Sequence, residues 1–192
     1  MFDHAPFGLR FELGGDLPMG PLRFMQALDR ARSVARALFS GSETLIAVVS
    51  INGEDCLTKR QSTSIQQLKR IGFPHRFELA SKVAQNDQDH IAEFGRDMVR
   101  HCHVAEFAND EASVFALLWA SVGREMDVQP KARWLDTIHL ADIKKKLALT
   151  AYDDRGMDVV GPDARELSSL YRTFNPWLLD HDRAVMDTKF SL

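Results

Sequence analysis

The densest group of residues that could do chemistry lies in the acidic stretch AYDDRGMDVVG, at positions 151–161. It carries the carboxylates of Asp153, Asp154 and Asp158, with Arg155 among them. Three carboxylates could hold a hard cation through oxygen ligands, although the spacing of an EF-hand loop is absent. Two other roles are open: a polar contact loop for a partner, or a hairpin stiffened by a local ion pair of Arg155.

A structural role explains the same residue types most simply. Aspartates at the start of a turn hydrogen-bond their own backbone, and glycine tolerates the left-handed conformation that many tight hairpins need. We therefore predict a hairpin between the strands LALTA and MDVVG, with Gly156 in the left-handed region.

A histidine near the C-terminal end suggests a second chemistry. His181 stands between Asp180 and Asp182 in LLDHDR, a pattern used by some metal-dependent phosphohydrolases. The further His and Asp ligands of such enzymes are not recognisable here. The alternative to a binding function is therefore a hydrolase-type enzyme with a dispersed Asp/His site around 153–158 and 181. Its side chains would have to converge within hydrogen-bond reach.

Metal and thiol chemistry have weaker support. His101, Cys102 and His103 would face a zinc ion only on a strand, and no second Cys or His pair stands at a ligand spacing. We place these residues at a helix end, where histidine favours the negative end of the dipole. Cys56 is more simply an inert thiol than a nucleophile. With no nucleotide, serine-hydrolase or zinc-protease motif in the sequence, we expect no metal and no cofactor.

A local basic patch surrounds a short helix. It comprises Lys59, Arg60, Lys69, Arg70, His75 and Arg76. Such a patch is typical of a solvated face, and it could also dock an acidic partner or a phosphate-bearing ligand. The chain as a whole carries a net charge of -3, which argues against broad nucleic-acid binding.

The totals describe an ordinary globular domain. Its 192 residues, 45% hydrophobic and 27% charged, can bury a core within one domain spanning 1–192. Two cysteines are too few for a disulfide framework, and no signal peptide or long apolar run is present. These features predict a cytoplasmic protein that does not enter the membrane.

Hydrophobic periodicity gives the order of the elements. It predicts strands at 9–13, 44–51 and 75–83 and helices at 21–39 and 64–72. Further along it predicts a helix ending near His101, strands at Val114–Val122 and Trp134–Leu140, the hairpin strands, and two C-terminal helices, the second starting at Asn175. This order indicates an α+β fold with a mostly antiparallel sheet and flanking helices in a single domain.

Three segments together resemble a known family. They are LRFELGG at 9–15, YDDRGMDVVG at 152–161 and LYRTFNPWLLDHDR at 170–183. Together they resemble the bacterial domain-of-unknown-function family 3885, from which positions 123–145 depart. The resemblance implies structural roles for Tyr152, Asp153, Asp154, Arg155, Gly156, Trp177 and Arg183, but it brings no activity with it.

These observations favour a non-enzymatic, protein-binding domain. Small acidic α+β proteins of this kind often serve as immunity proteins beside bacterial toxins, so a toxin is the narrower expectation for the partner. The residues first expected to contact it are Asp153, Asp154, Arg155 and Asp158. We expect a protein partner and no membrane. A nucleic-acid-associated module that uses the basic segment 59–76 is the third alternative.

Overall fold

The computed structural model describes residues 2, 5–84, 88, 91, 92 and 98–190. Within them, seven strands form one sheet in the order β1-β7-β6-β5-β2-β4-β3, and every neighbouring pair is antiparallel. The strands are β1 Phe7–Glu12, β2 Thr44–Gly53, β3 Glu78–Ala84, β4 Val99–Ala108, β5 Ile138–Asp142, β6 Leu147–Ala151 and β7 Gly156–Gly161. The predicted α+β class with an antiparallel sheet is confirmed.

Six α-helices that accompany the sheet have both ends within the described residues. They are α1 Pro21–Leu38, α2 Lys59–Ser62, α3 Ser64–Ile71, α4 Glu111–Val122, α5 Ala164–Thr173 and α6 Arg183–Phe190. Helix α1 starts at a proline, as the sequence predicts, and buries one stripe of side chains that includes Phe24, Leu28 and Ala35. None of the described helices combines the length and hydrophobicity needed to span a bilayer.

The sheet is covered unequally on its two faces. In β2, Leu45, Ala47 and Val49 are fully buried, whereas Ile46 and Val48 between them are half-buried. Because successive strand residues point to opposite faces of the sheet, the hydrophobic core lies on the face that carries Leu45, Ala47 and Val49. Helices α1 and α4 belong to this core, where the rings of Phe24 and Trp119 meet edge to face.

Helix α4 corrects one prediction. Val114–Val122 was expected to be a strand, but it forms the body of this helix, which Asp110 caps by accepting a hydrogen bond from the Ser113 amide. The helix packs against α1 and α3. Its apolar residues run all the way round, so the run shows no helical period in the sequence.

Strand β4 corrects a second prediction. The helix predicted to end near His101 lies mainly outside the described residues, but Val99 to His101 belong to β4. This strand pairs with β2 over ten consecutive positions, from Thr44 opposite Ala108 to Gly53 opposite Val99. The long pairing, which the local sequence does not reveal, outweighs the helical spacing of the apolar residues.

Two boundaries also differ from the prediction. The strand expected at Trp134–Leu140 begins only at Ile138, and Trp134 stands in the loop before it. The last helix does not start at Asn175. Two short 3-10 turns, Asn175–Trp177 and Asp180–Asp182, precede α6 at Arg183.

Candidate functional site

The acidic turn is a hairpin closed by its own backbone. The Tyr152 amide donates to the Gly156 carbonyl at 3.0 Å, and the Arg155 amide donates to Asp153 Oδ1 at 2.8 Å. The Arg155 guanidinium returns to the same carboxylate, with its Nε 3.0 Å from Oδ2. Burial alone would raise the pKa of Asp153, but the hydrogen bonds and charge of Arg155 outweigh it and hold that pKa below its usual value.

Gly156 is required because a side chain at this position would not fit. Its backbone conformation alone would not demand glycine. Its φ does not lie in the left-handed region, contrary to the prediction. A Cβ at this position would stand 2.9 Å from the Phe11 carbonyl oxygen and 3.4 Å from the Tyr152 ring. Glycine therefore lets β1 and the tyrosine ring approach the start of β7 together.

Asp154 ties the turn to helix α1. Its carboxylate pairs with Arg23 Nε, and the same guanidinium donates to the carbonyls of Gly15 and Leu17 at 2.7 and 2.8 Å. Gln26, on the same side of α1, donates to the Gly14 carbonyl at 2.8 Å. The loop after β1 is thus held between the first helix and the acidic turn.

Asp158 anchors a polar row across the sheet. It faces Arg10 on β1 and Thr150 on β6, and Arg10 Nε lies 2.9 Å from its Oδ1. Tyr152 donates its hydroxyl to the same oxygen, and the Phe2 amide lies 3.0 Å from Oδ2. Arg10 also binds Asp182 at 2.9 Å.

The row continues onto β5. The His139 ring hydrogen-bonds Thr150 Oγ1 through Nδ1, and the neighbouring pair Leu140 and Leu149 stands in register. We call Arg10, Asp158, Thr150 and His139 the Arg10 row. Burial lowers the pKa of His139, and the positive charge of Arg100 acts in the same direction.

Trp177 and Arg183 hold the segment that borders β1. Arg183 donates to the carbonyls of Asn175 and Leu178 at 3.1 and 3.2 Å, and Trp177 stacks on Phe174 with centroids 5.0 Å apart. The Leu179 amide then donates to the Arg10 carbonyl at 2.9 Å. The segment therefore hydrogen-bonds to the edge of β1 that faces away from β7.

The predicted contact residues turn inward. Asp153, Asp154 and Asp158 are at most 1% exposed, and each accepts from a different arginine. Of the four, only Arg155 presents its side chain to solvent. The three aspartates therefore have their partners inside the fold.

The hydrolase alternative gains nothing from this arrangement. The three carboxylates are each committed to an arginine, and His181 lies exposed in the second 3-10 turn. The cavity beside Tyr152 and Asp136 measures only about 10 Å³. That volume is too small for a substrate.

The histidines of HCH lie on a strand, so the predicted helix end is wrong for them. His101 is buried and hydrogen-bonds the Glu54 carbonyl at 2.8 Å through Nε2, whereas His103 is half-buried. Burial lowers the pKa of His103. In the described residues no three His, Cys, Asp or Glu side chains are grouped to hold a metal ion. Cys56 is an exposed free thiol.

Trp134 is a candidate site residue that the sequence does not indicate. Its side chain is 56% exposed, and its φ of 69° lies in the left-handed region, where a bulky residue is a rare and strained occurrence. The backbone beside it is fixed, because the Arg133 amide donates to Gln67 Oε1 on α3 at 2.8 Å. Nothing in the local sequence indicates this conformation, and the apolar pattern predicts a strand there instead.

Trp134 forms one side of a surface groove. The groove measures about 520 Å³, and Thr58, Lys59, Arg60 and Gln61 form the rest of its lining. Thr58 and Gln61 make a reciprocal capping box that fixes the start of α2. We call the surface made by α2, α3 and residues 131–135 the Trp134 surface.

Comparison with known proteins identifies a family and no function. No curated protein and no solved structure matches the chain. The sequence profile of one family, described as a domain of unknown function (DUF3885), matches residues 1–182, so it includes the middle region that looked divergent. The chain belongs to the DUF3885 family.

Proposed function

We propose that this protein is a non-enzymatic binding domain that docks a protein partner on the Trp134 surface. The observation that carries the proposal is a large aromatic side chain held outward in a strained backbone conformation. Strained residues persist where the surrounding structure holds them in place, and they concentrate at ligand clamps and other functional sites.

The chemistry of the surface supports protein recognition. Tryptophan and arginine are the residues most enriched among those that dominate binding energy at protein interfaces. Trp134 lies beside Arg60, and Arg133 precedes it in the chain. The hydrogen bond from Arg133 to Gln67 orders this loop before any partner arrives, which reduces the entropy lost on binding.

The surface also replaces the first expectation for the contact site. Asp153, Asp154 and Asp158 already have arginine partners inside the fold, so their role in the proposal is to shape the domain. Arg155 remains exposed and can still meet a partner. The Trp134 surface is the better contact site because Trp134 is exposed and the neighbouring Lys59 and Arg60 form no ion pair with a described residue.

The narrower form of the proposal is that the domain is a bacterial, cytoplasmic immunity protein and its partner is a toxin. Its support is the analogy with small acidic α+β immunity proteins. The mechanism would be coverage of the toxin's active site by a preorganised surface. A toxin gene beside the gene for this chain, together with protection in cells that express both, would support this form.

Photo-crosslinking tests the docking site. Benzoylphenylalanine replaces Trp134 in one variant and Arg165, an exposed residue of α5, in a control variant. Both proteins are illuminated in cells of the organism that encodes the chain. We expect one cross-linked protein from position 134 and not from position 165, and we expect the purified pair to form a stoichiometric complex that Trp134→Ala weakens. Equal labelling from both positions, or a complex that Trp134→Ala leaves unchanged, would overturn the proposal.

A further inference from the structure

We infer that the partner of the Trp134 surface presents an acidic polypeptide segment. This inference rests on the proposed function and adds the chemistry of the ligand. It follows from the charges that surround Trp134, which differ in sign from the net charge of the chain.

The two segments that build the surface are uniformly basic. Residues 58–71 and 131–135 contain Lys59, Arg60, Lys69, Arg70, Lys131 and Arg133, and they contain no aspartate or glutamate. The whole chain has 24 basic and 27 acidic residues. A carboxylate-free surface on such a chain produces a local positive potential that favours a negatively charged partner.

Most of these cations are available to a ligand. Lys59, Arg60, Lys69, Arg70 and Arg133 are exposed, and none of them forms an ion pair with a described residue. Only Lys131 is partly committed, since its ammonium group donates to the Met126 carbonyl at 2.6 Å.

The basic side of α1 shows the contrast. Arg32 and Arg36 both bind Glu111 Oε1, at 2.6 and 2.8 Å, so the fold itself supplies their carboxylate. By contrast, no described carboxylate forms an ion pair with a cation of the Trp134 surface. A partner would therefore supply the anion that the fold does not.

The geometry offers two adjoining places for carboxylates. Lys59 and Arg60 line the groove beside Trp134, and Lys69 and Arg70 line a second groove of about 610 Å³ along α3. Gln67 lines this second groove and also binds the Arg133 amide, so it connects the two. An apolar residue of the partner would contact Trp134 while flanking carboxylates contact the lysines and arginines.

A protein segment fits better than a nucleic acid. The basic surface is short, because acidic residues flank its segments in the chain. Exposed carboxylates of Glu54 and Asp55 precede α2, and Asp136 follows Trp134 two positions later. A phosphate backbone needs a basic path that extends over many contacts, whereas a short acidic segment needs only the two grooves.

Fluorescence anisotropy with defined probes tests the inference. The probes are a fluorescein-labelled peptide with one central leucine flanked by glutamates, the same peptide with lysines in place of the glutamates, and a single-stranded oligothymidine of similar length. The proteins are the full chain, Trp134→Ala, the double variant Lys59→Glu/Arg60→Glu, and the control Arg165→Glu/Arg172→Glu. The control reverses two exposed charges on α5 and so matches the change in net charge.

We expect the glutamate peptide to bind the full chain and the lysine peptide not to bind. The Lys59/Arg60 double variant should weaken binding by about tenfold or more, and the control by less than about twofold, because the screened charges act locally. Circular dichroism and thermal melting should show that all variants remain folded.

The outcomes separate the inference from the proposed function. Equal weakening by both double variants, or tighter binding of the oligothymidine than of the glutamate peptide, would overturn the acidic-segment inference. A cross-linked partner at position 134 whose affinity the Lys59/Arg60 variant leaves unchanged would overturn the inference and leave the proposed function standing. Loss of the specific cross-link would overturn the proposed function itself.

Discussion

Tyr152 and Asp158 are linked by a hydrogen bond within the β6–β7 hairpin, in which the tyrosine hydroxyl donates to Asp158 Oδ1. The ring passes close to Gly156, and the same carboxylate holds Arg10 on β1. One aspartate thus connects the hairpin to the edge strand, and this arrangement explains why the Tyr-Asp-Asp-Arg-Gly motif acts as a structural unit.

Tyr152→Phe should destabilise the fold by about 1–3 kcal/mol, because it removes one donor from a buried carboxylate. Urea unfolding measures the difference. Tyr171→Phe is the matched control, since it removes a hydroxyl donated at 2.6 Å to Asp187, which is only half-buried. A larger loss from Tyr171→Phe than from Tyr152→Phe would contradict the role assigned to Asp158.

The Arg23–Asp154 pair should show strong coupling. Both side chains are mostly buried, with exposures of 15% and 2%. A double-mutant cycle with Arg23→Met and Asp154→Asn should give a coupling free energy of about 1–3 kcal/mol. The equivalent cycle for Arg155 and Glu125, an exposed pair 3.7 Å apart, should give no measurable coupling. Similar coupling in the two cycles would show that burial does not set the strength of these pairs.

Stability should fall as the pH drops below about 6.5, the ordinary pKa of histidine. Burial lowers the pKa of both His103 and His139 in the folded protein. The unfolded chain therefore takes up protons first, so the stabilisation is complete above that pH and is lost as the pH falls through the folded values.

Denaturant unfolding at a series of pH values between about 7.5 and 5 checks this sign. The variant His103→Gln/His139→Gln should have a flatter profile than the natural chain. A profile that rises toward acid pH would contradict the assignment.

Trp134 allows a test of backbone strain that is independent of binding. Because its φ is 69°, glycine should be better tolerated than alanine, and Trp134→Gly should be more stable than Trp134→Ala by about 1 kcal/mol. At Val185, an exposed position in α6, the order should reverse, since glycine weakens a helix interior. Thermal or urea unfolding measures the stability of the four variants. If glycine and alanine ranked in the same order at both positions, the backbone strain at Trp134 would be contradicted.

Local sequence predicted those elements whose own residues determine them. Three features were sufficient to predict their elements: the alternation in β1, the proline at the start of α1 and the β-branched run of β2. Helix α4 was missed because a run that is apolar on every side has no period, and the Asp110 cap was the signal that could have identified it.

The acidic turn was predicted, but its partners were not. Arg23 and Arg10 stand 131 and 148 positions away from the aspartates they bind, so only the folded chain brings them together. Trp134 was assigned to a strand because a positive φ leaves no mark on residue type. The basic character of 58–71 was visible from the start, and the structure added the exposed aromatic side chain beside it.

The position of β1 next to β7 has a consequence for the time course of synthesis. Asp158 leaves the ribosome 148 residues after Arg10, a delay of about 7–30 s at ordinary translation rates. For that interval β1 has no strand to pair with, although it carries Leu9 and Phe11, which are fully buried in the finished fold. Pairing of β1 is therefore a late step that depends on synthesis of the β6–β7 hairpin. Until then the apolar side chains of β1 in the nascent chain lack the neighbouring strand that covers them in the finished fold.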